Sequence, residues 1–129
     1  MPTWILNTEF TFDAAHSISG YDGKCGRMHG HTYRVRVTAK SHQLNPSKYL
    51  QTPDMVCDFR ELKWAAKDSD KGGFDHGILD DLIPEKTTAE RIAEYIHKTT
   101  SERIPDNIEL VVTVWETENS WVEYTDKHV

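Results

Sequence analysis

WILNTEFTFDAAH, residues 4–16, and HGHTYRVRVTAK, residues 29–40, both repeat with a period of two. In the first, Trp4, Leu6, Thr8, Phe10, Phe12, Ala14 and His16 share one parity, and Ile5, Asn7, Glu9, Thr11 and Asp13 the other. In the second, His29, His31, Tyr33, Val35, Val37 and Ala39 alternate with Gly30, Thr32, Arg34, Arg36, Thr38 and Lys40. Successive side chains of a strand point to opposite faces, so each stretch predicts a half-buried strand. Residues 17–28 between them carry Gly20, Gly23 and Gly26 and read as a loop. If the two strands form an antiparallel hairpin, its loop end gathers His16, His29 and His31 on the face that also carries Phe10 and Phe12.

Outward from this hairpin the pattern changes. Residues 41–54 are polar, contain Pro46 and Pro53, and read as a connection. Met55, Cys57 and Phe59 alternate with Val56 and Asp58, which predicts a short strand. Asp58 and Glu61 have capping-box spacing, and a helix is expected from Arg60 to about Asp68 with Leu62, Ala65 and Ala66 inward. Residues 69–84 are loop-rich, with room for a short helical turn. Thr87 and Glu90 form a second capping-box pattern ahead of a helix over 88–103, whose inward positions are Ala89, Ile92, Ala93 and Ile96. Pro105 ends it. Ile108, Leu110, Val112, Val114 and Glu116 then share one strand face, and Val122–Tyr124 suggests a last strand. Strands grouped at the ends and helices in the middle predict an α+β fold: a four-stranded antiparallel sheet with two helices on one face. Such a small sheet has open edges, and pairing with other subunits is the expected way to close them.

The chain has 129 residues and a mass of 14.9 kDa, the size of one domain spanning 1–129. No apolar run approaches the ~20 residues of a spanning helix. A net charge of −6 and a pI near 5.6 argue against general nucleic-acid binding. Two cysteines, Cys25 and Cys57, make no disulfide framework, and Met1–Trp4 shows no signal-peptide pattern, so a cytoplasmic protein is expected.

Three imidazoles with a fourth position open are the ligand set of a catalytic zinc site, although imidazole also suits copper, nickel or iron. Cys25 lies in the loop four residues before His29. A metal ion and nearby imidazoles stabilise a thiolate, so Cys25 is either a fourth ligand or a base or nucleophile beside the metal, and an idle loop thiol is the bland alternative. Gly23 and Gly26 around it favour a mobile loop. Cys57 reads as a packed core thiol. Asp75-His76 is a second pair able to exchange protons, against the alternative of a solvated loop. Glu116 ends an apolar strand face. A carboxylate there suits two parallel hydrogen bonds from the N–H/NH₂ edge of a guanine-like or pterin-like ring, unless the strand has already ended and the acid is solvated.

These residues fall in blocks: Phe12-Asp13-Ala14-Ala15-His16; Cys25-Gly26-Arg27-Met28-His29-Gly30-His31 with Tyr33; Met55-Val56 with Asp58-Phe59 and Leu62-Lys63; Asp75-His76 with Leu79; Thr88 with Glu90; and Glu116-Thr117. In this order they resemble the 6-pyruvoyl tetrahydropterin synthase superfamily, and within it the bacterial 6-carboxy-5,6,7,8-tetrahydropterin synthases of queuosine biosynthesis. The resemblance spans about residues 10–124. It implies the tunnelling fold (T-fold), in which trimers close a barrel and two trimers stack into a homohexamer with active sites between subunits. It implies Zn²⁺ on His16, His29 and His31, Cys25 as the proton-abstracting thiol, His76 as its relay partner supported by Asp75, and Glu116 as the pterin anchor and a further proton carrier. The implied substrate is 7,8-dihydroneopterin triphosphate, a small molecule, with no nucleic acid or membrane partner. Lys24 and Arg27 flank Cys25 and are candidates for the triphosphate or for a solvated basic pair.

The chain departs from the family's usual pattern at Asp54, Phe74, Asp80, Thr87 and Trp115, where relatives often carry Gly, Leu, Asn, Pro and Lys. The rival readings are a pyruvoyl-forming synthase, a non-catalytic metal- or pterin-binding module, and a hydrolase using zinc-bound water.

Overall fold

The computed structural model describes residues 1–67 and 77–126. Strands β1 (Trp4–His16) and β2 (His29–Ser41) form the expected hairpin, antiparallel from Trp4 opposite Ser41 to His16 opposite His29. Burial follows the two-residue period: Phe12, Tyr33, Val35 and Val37 are at most 1% exposed, while Thr11, Asp13, Thr32 and Arg34 face out. On the outward face, pairs of opposite partners tie the ladder. Thr38 donates to Asn7, Thr32 to Asp13, and Arg36 to Glu9.

Helix α1 (Phe59–Lys67) follows the 41–58 connection, and helix α2 (Ala89–Ser101) follows after strand β3 (Gly77–Ile78) and a single 3₁₀ turn at Leu79–Asp81. Strands β4 (Glu109–Thr117) and β5 (Ser120–Tyr124) complete a sheet of order β3-β1-β2-β4-β5. Four strands are antiparallel, as the sequence predicts. The fifth, β3, is a two-residue parallel addition beside Ala14 and Ala15. Both helices cover one face. Leu62, Ile92 and Ile96 pack there with Phe12, Tyr33, Val35, Val112 and Val114 in one core.

Two local expectations are corrected. Residues 55–59 are not a strand: Met55 makes one isolated bridge to Asn45. Val56 and Cys57 are both buried and Phe59 is half exposed, so the period of two is broken. Asn45 explains this, because its side chain donates to the Val56 carbonyl and exchanges amide hydrogen bonds with Asn107. The side chain of Asp58 then accepts from the Arg60 N–H and starts α1. Glu61 does not close a capping box. It is buried against Arg103, whose Nε donates to it at 2.5 Å.

The second correction concerns α2. Its cap is Thr88, whose hydroxyl accepts from the Arg91 N–H, and not Thr87. Thr87 is fully buried and turns the other way, toward His16. Among the described residues, no helix is long and apolar enough to cross a membrane.

Candidate active site

The hairpin register sets the site. His16 and His29 are direct cross-strand neighbours, and His31 is two residues further along the same face. Their ring centroids stand 4.5 Å (His16–His29), 5.1 Å (His16–His31) and 4.7 Å (His29–His31) apart. One ligand nitrogen from each ring lies within 4.8 Å of the others.

Hydrogen bonds orient two of these rings. His16 Nδ1 is 2.8 Å from the Thr87 carbonyl oxygen and 3.2 Å from Thr87 Oγ1. A carbonyl only accepts, so Nδ1 carries the proton and Nε2 keeps its lone pair. His29 Nδ1 likewise donates to the Arg27 carbonyl at 2.6 Å. Among the described residues, His29 Nε2 and His31 Nε2 are buried with no hydrogen-bond partner. Buried polar atoms are rarely left so, and two turned toward a third imidazole fit a metal ion held by nitrogen. Among the described residues, His16 Nε2 has one hydrogen-bond partner, the Tyr33 hydroxyl at 3.1 Å, which donates to it. Burial, with Glu116 next, pushes the Tyr33 phenol well above its usual range, so it keeps its proton.

Glu116 meets the cluster from β4. Its Oε1 lies 3.5 Å from His31 Nε2, which is an ion-pair distance without hydrogen-bond geometry. The β4–β5 register shifts between Trp115 and Thr117, and the resulting bulge holds Glu116 on the inward side while Trp115 lies under the Arg34 guanidinium. Burial lowers the His31 pKa. Glu116 opposes this, and the neighbouring His16 and His29 add to the lowering. A neutral His31 is the form that ligates a metal. An open groove of about 450 Å³ borders His31, lined also by Asp13, Ala15, Gly30, Thr32 and Gly77.

The profile of the family described as 6-pyruvoyl tetrahydropterin synthase matches residues 5–127. The chain belongs to this family. It is 39% identical over 94 aligned residues to the 6-carboxy-5,6,7,8-tetrahydropterin synthase of Synechocystis sp., covering 72% of this chain and 71% of that protein. It is 32% identical to the 6-carboxy-5,6,7,8-tetrahydropterin synthase of Haemophilus influenzae, covering 94% and 98%. Among solved structures, the 6-pyruvoyl tetrahydropterin synthase of Caenorhabditis elegans superposes with a TM-score of 0.71 at 21% identity, covering 98% of both chains. A 6-pyruvoyltetrahydropterin synthase variant from Plasmodium vivax gives 0.68 at 20% identity, covering 99% and 100%. Both share the fold expected from the sequence.

Within this family fold, Cys25 sits in a 3₁₀ turn (Lys24–Gly26) of the β1–β2 loop, half-buried, with its carbonyl accepting from the Ile18 N–H at 2.8 Å. A thiolate there is close enough to Tyr33 to be among the charges that raise its pKa. The flanking glycines serve a tight turn. Gly23 has φ 134°, and a Cβ on Gly26 would stand 2.7 Å from the Tyr21 carbonyl oxygen. Lys24 and Arg27 are exposed on this loop. Asp75 and His76 lie outside the described residues. Cys57 is the packed core thiol expected, 6% exposed, with burial pushing its pKa up to about 11.

Sequence reasoning missed three contributors. Thr87 and Asp80 support His16, and Lys86 Nζ donates to the Ser19 carbonyl at 2.6 Å, fastening the loop after β1. Burial works against ionisation of Asp80, but hydrogen bonds from Thr87 and Ser17 outweigh it and hold the carboxyl below its usual range. No periodic signal marks any of the three.

Proposed function

We propose that this chain is a zinc-dependent lyase. It takes 7,8-dihydroneopterin triphosphate and water to 6-carboxy-5,6,7,8-tetrahydropterin, acetaldehyde and triphosphate, a step toward queuosine and related 7-deazapurines. The observation that carries the metal is the pair of buried Nε2 atoms of His29 and His31 beside His16, neither with a hydrogen bond among the described residues. The carboxy-type product rests on the names of the curated relatives and on the short Cys25-x₃-His29 spacing.

His16, His29 and His31 would hold zinc, whose chemistry when bound is Lewis-acid polarisation of the substrate's side-chain oxygens. Glu116, beside His31, accepts the N–H/NH₂ edge of the pterin. Cys25 removes a proton from the side chain, and His76, oriented by Asp75, returns one to the ring. The ring is reduced as the side chain is oxidised, so no external redox cofactor enters. Lys24 and Arg27, exposed on the same loop, would either meet the triphosphate or stay a solvated basic pair.

Residues 1–129 act as one domain in this reading, and the working unit is a homohexamer of two stacked trimers with active sites between subunits. The sheet supports an oligomer. β5 ends one edge, and β3 covers only Ala14 and Ala15 of β1 at the other, leaving a long free edge on each side. Two unpaired thiols suit a reducing cytoplasm.

The test is incubation of the zinc-loaded protein with 7,8-dihydroneopterin triphosphate without reductant, with products identified by mass. Carboxy-tetrahydropterin with acetaldehyde supports the reading, and Cys25→Ala should then abolish turnover while zinc is retained. A pyruvoyl product without acetaldehyde makes it a pyruvoyl-forming synthase. Pterin binding without turnover makes it a binding module, and a hydrolytic activity that survives Cys25→Ala makes it a hydrolase.

A further inference from the structure

We propose that Asp80 and Thr87 form a positioning pair that fixes the tautomer and orientation of His16. One carboxylate spans the two segments that hold this ring. Asp80 Oδ2 accepts from both the backbone N–H and the hydroxyl of Ser17, the residue after His16, each at 3.1 Å. Asp80 Oδ1 accepts from Thr87 Oγ1 at 2.8 Å. Thr87 then faces His16 Nδ1 with two oxygens, its carbonyl at 2.8 Å and its hydroxyl at 3.2 Å.

The proton count decides what this achieves. A hydroxyl has one proton. The carboxylate oxygen at 2.8 Å takes it in preference to the Ser17 carbonyl at 3.3 Å, because a charged acceptor makes the stronger bond. Thr87 Oγ1 is left with only lone pairs to offer His16. Both Thr87 oxygens therefore require a proton on Nδ1, which leaves the Nε2 lone pair facing His29 and His31. Without Asp80, the Thr87 hydroxyl is free to rotate and donate to Nδ1. The Thr87 carbonyl at 2.8 Å would then hold the Nδ1 proton against a competing donor, and the Nε2–H tautomer, which cannot ligate through Nε2, would gain population. Asp80 touches neither the imidazole nor substrate. It acts through Thr87 and Ser17.

This inference rests on reading the three histidines as a metal site, and it is tested without turnover. Zinc affinity of the full chain is measured by competition with a chromophoric chelator, and the His16 tautomer of the metal-free protein by nitrogen NMR of the histidine rings. Asp80→Ala is expected to weaken zinc about 10-fold or more, the scale on which loss of a partner behind a ligating histidine acts. It should also turn a single Nδ1–H tautomer into a mixture. Asp80→Asn offers one acceptor oxygen to the donors of Ser17 and Thr87, and should fall between the parent and Asp80→Ala in both. Thr87→Val, close in shape, keeps the carbonyl but has no hydroxyl to donate to Nδ1, so adding it to Asp80→Ala should remove the mixture and restore Nδ1–H. Asp80→Leu, which keeps the bulk and accepts nothing, serves if Asp80→Ala does not fold. An Asp80→Ala or Asp80→Leu protein that loses only thermal stability, binds zinc within about twofold of the parent and keeps His16 as Nδ1–H overturns the proposal. If the parent binds no zinc, the metal reading fails, and the tautomer comparison alone decides the pair.

Discussion

Tyr33→Phe should tighten zinc binding while making the metal-free protein less stable. The Tyr33 side chain is fully buried, and its hydroxyl donates to His16 Nε2 at 3.1 Å, the nitrogen that the metal needs. Zinc binding must therefore break this hydrogen bond. A net hydrogen bond is worth about 0.5–1.5 kcal/mol, and a buried polar group left unpaired costs about 1–3 kcal/mol. Phenylalanine has no such bond to lose. Relief of about 1–2 kcal/mol corresponds to roughly 5- to 30-fold tighter zinc. Ring packing should survive, because Phe12 stacks on Tyr33 through the ring at 5.1 Å between centroids. The metal-free variant forfeits the bond and should melt a few degrees lower. Chelator competition gives the first quantity and thermal melts of stripped protein the second. Unchanged or weaker zinc binding in Tyr33→Phe would refute the reasoning, since the phenol would then not compete with the metal for His16.

Three further outcomes follow from the site and its frame. Glu116→Gln keeps the shape but removes the charged acceptor from beside His31, and steady-state kinetics should show KM for the pterin raised roughly 10- to 100-fold, the value of about 1.5–3 kcal/mol for hydrogen bonds to a charged group. Gly26→Ala should cost about 1–3 kcal/mol in urea unfolding, because its Cβ meets the Tyr21 backbone oxygen at 2.7 Å. His97 is buried between the Leu110 carbonyl, Ser101 Oγ, the Tyr124 ring and Asp126, and burial lowers its pKa despite Asp126 and the carbonyl. The unfolded chain then binds a proton, near the unperturbed value of about 6.5, that the folded chain refuses. Stability should fall as pH drops below that value, and His97→Gln at equal metal loading should flatten the fall.

The β1–β2 hairpin was legible because two clean period-two stretches end and begin on histidine, and only one antiparallel pairing places those ends together. The register delivered His16 opposite His29. Glu116 was legible for the same reason, as the last member of an apolar row. Thr87 was not. Thr87 and Thr88 are both good caps by local rules, and the choice between them is made by His16, 71 residues away in sequence. β3 was not legible either, because two residues carry no periodicity and its pairing with β1 is parallel. His97 hid at a helical core position because its type suggests surface or ligand, whereas its Nε2 donates to the Leu110 carbonyl of β4. Asp80 and Thr87 each stood out only as departures from the family pattern. In the fold they share a hydrogen bond, so the two departures form one contact.

The candidate functional groups also divide by the kind of backbone that carries them. His16, His29 and His31 lie on a regular ladder, one cross-strand pair and one i, i+2 pair, so the spacing of their Cα atoms is fixed by sheet geometry. Cys25 arrives on a 3₁₀ turn, and Glu116 closes the apolar row of β4 where its pairing with β5 is bulged. Rigid elements hold a ligand constellation more accurately than loops do, whereas loops and bulges re-aim single side chains. On the proposed function, metal binding and substrate handling should therefore be separable. Changes that disturb the 17–28 loop or the Trp115–Thr117 bulge should alter turnover and leave the metal in place. Loss of metal should require damage to the ladder itself, or to the Thr87 and Asp80 contacts that hold His16 from outside it.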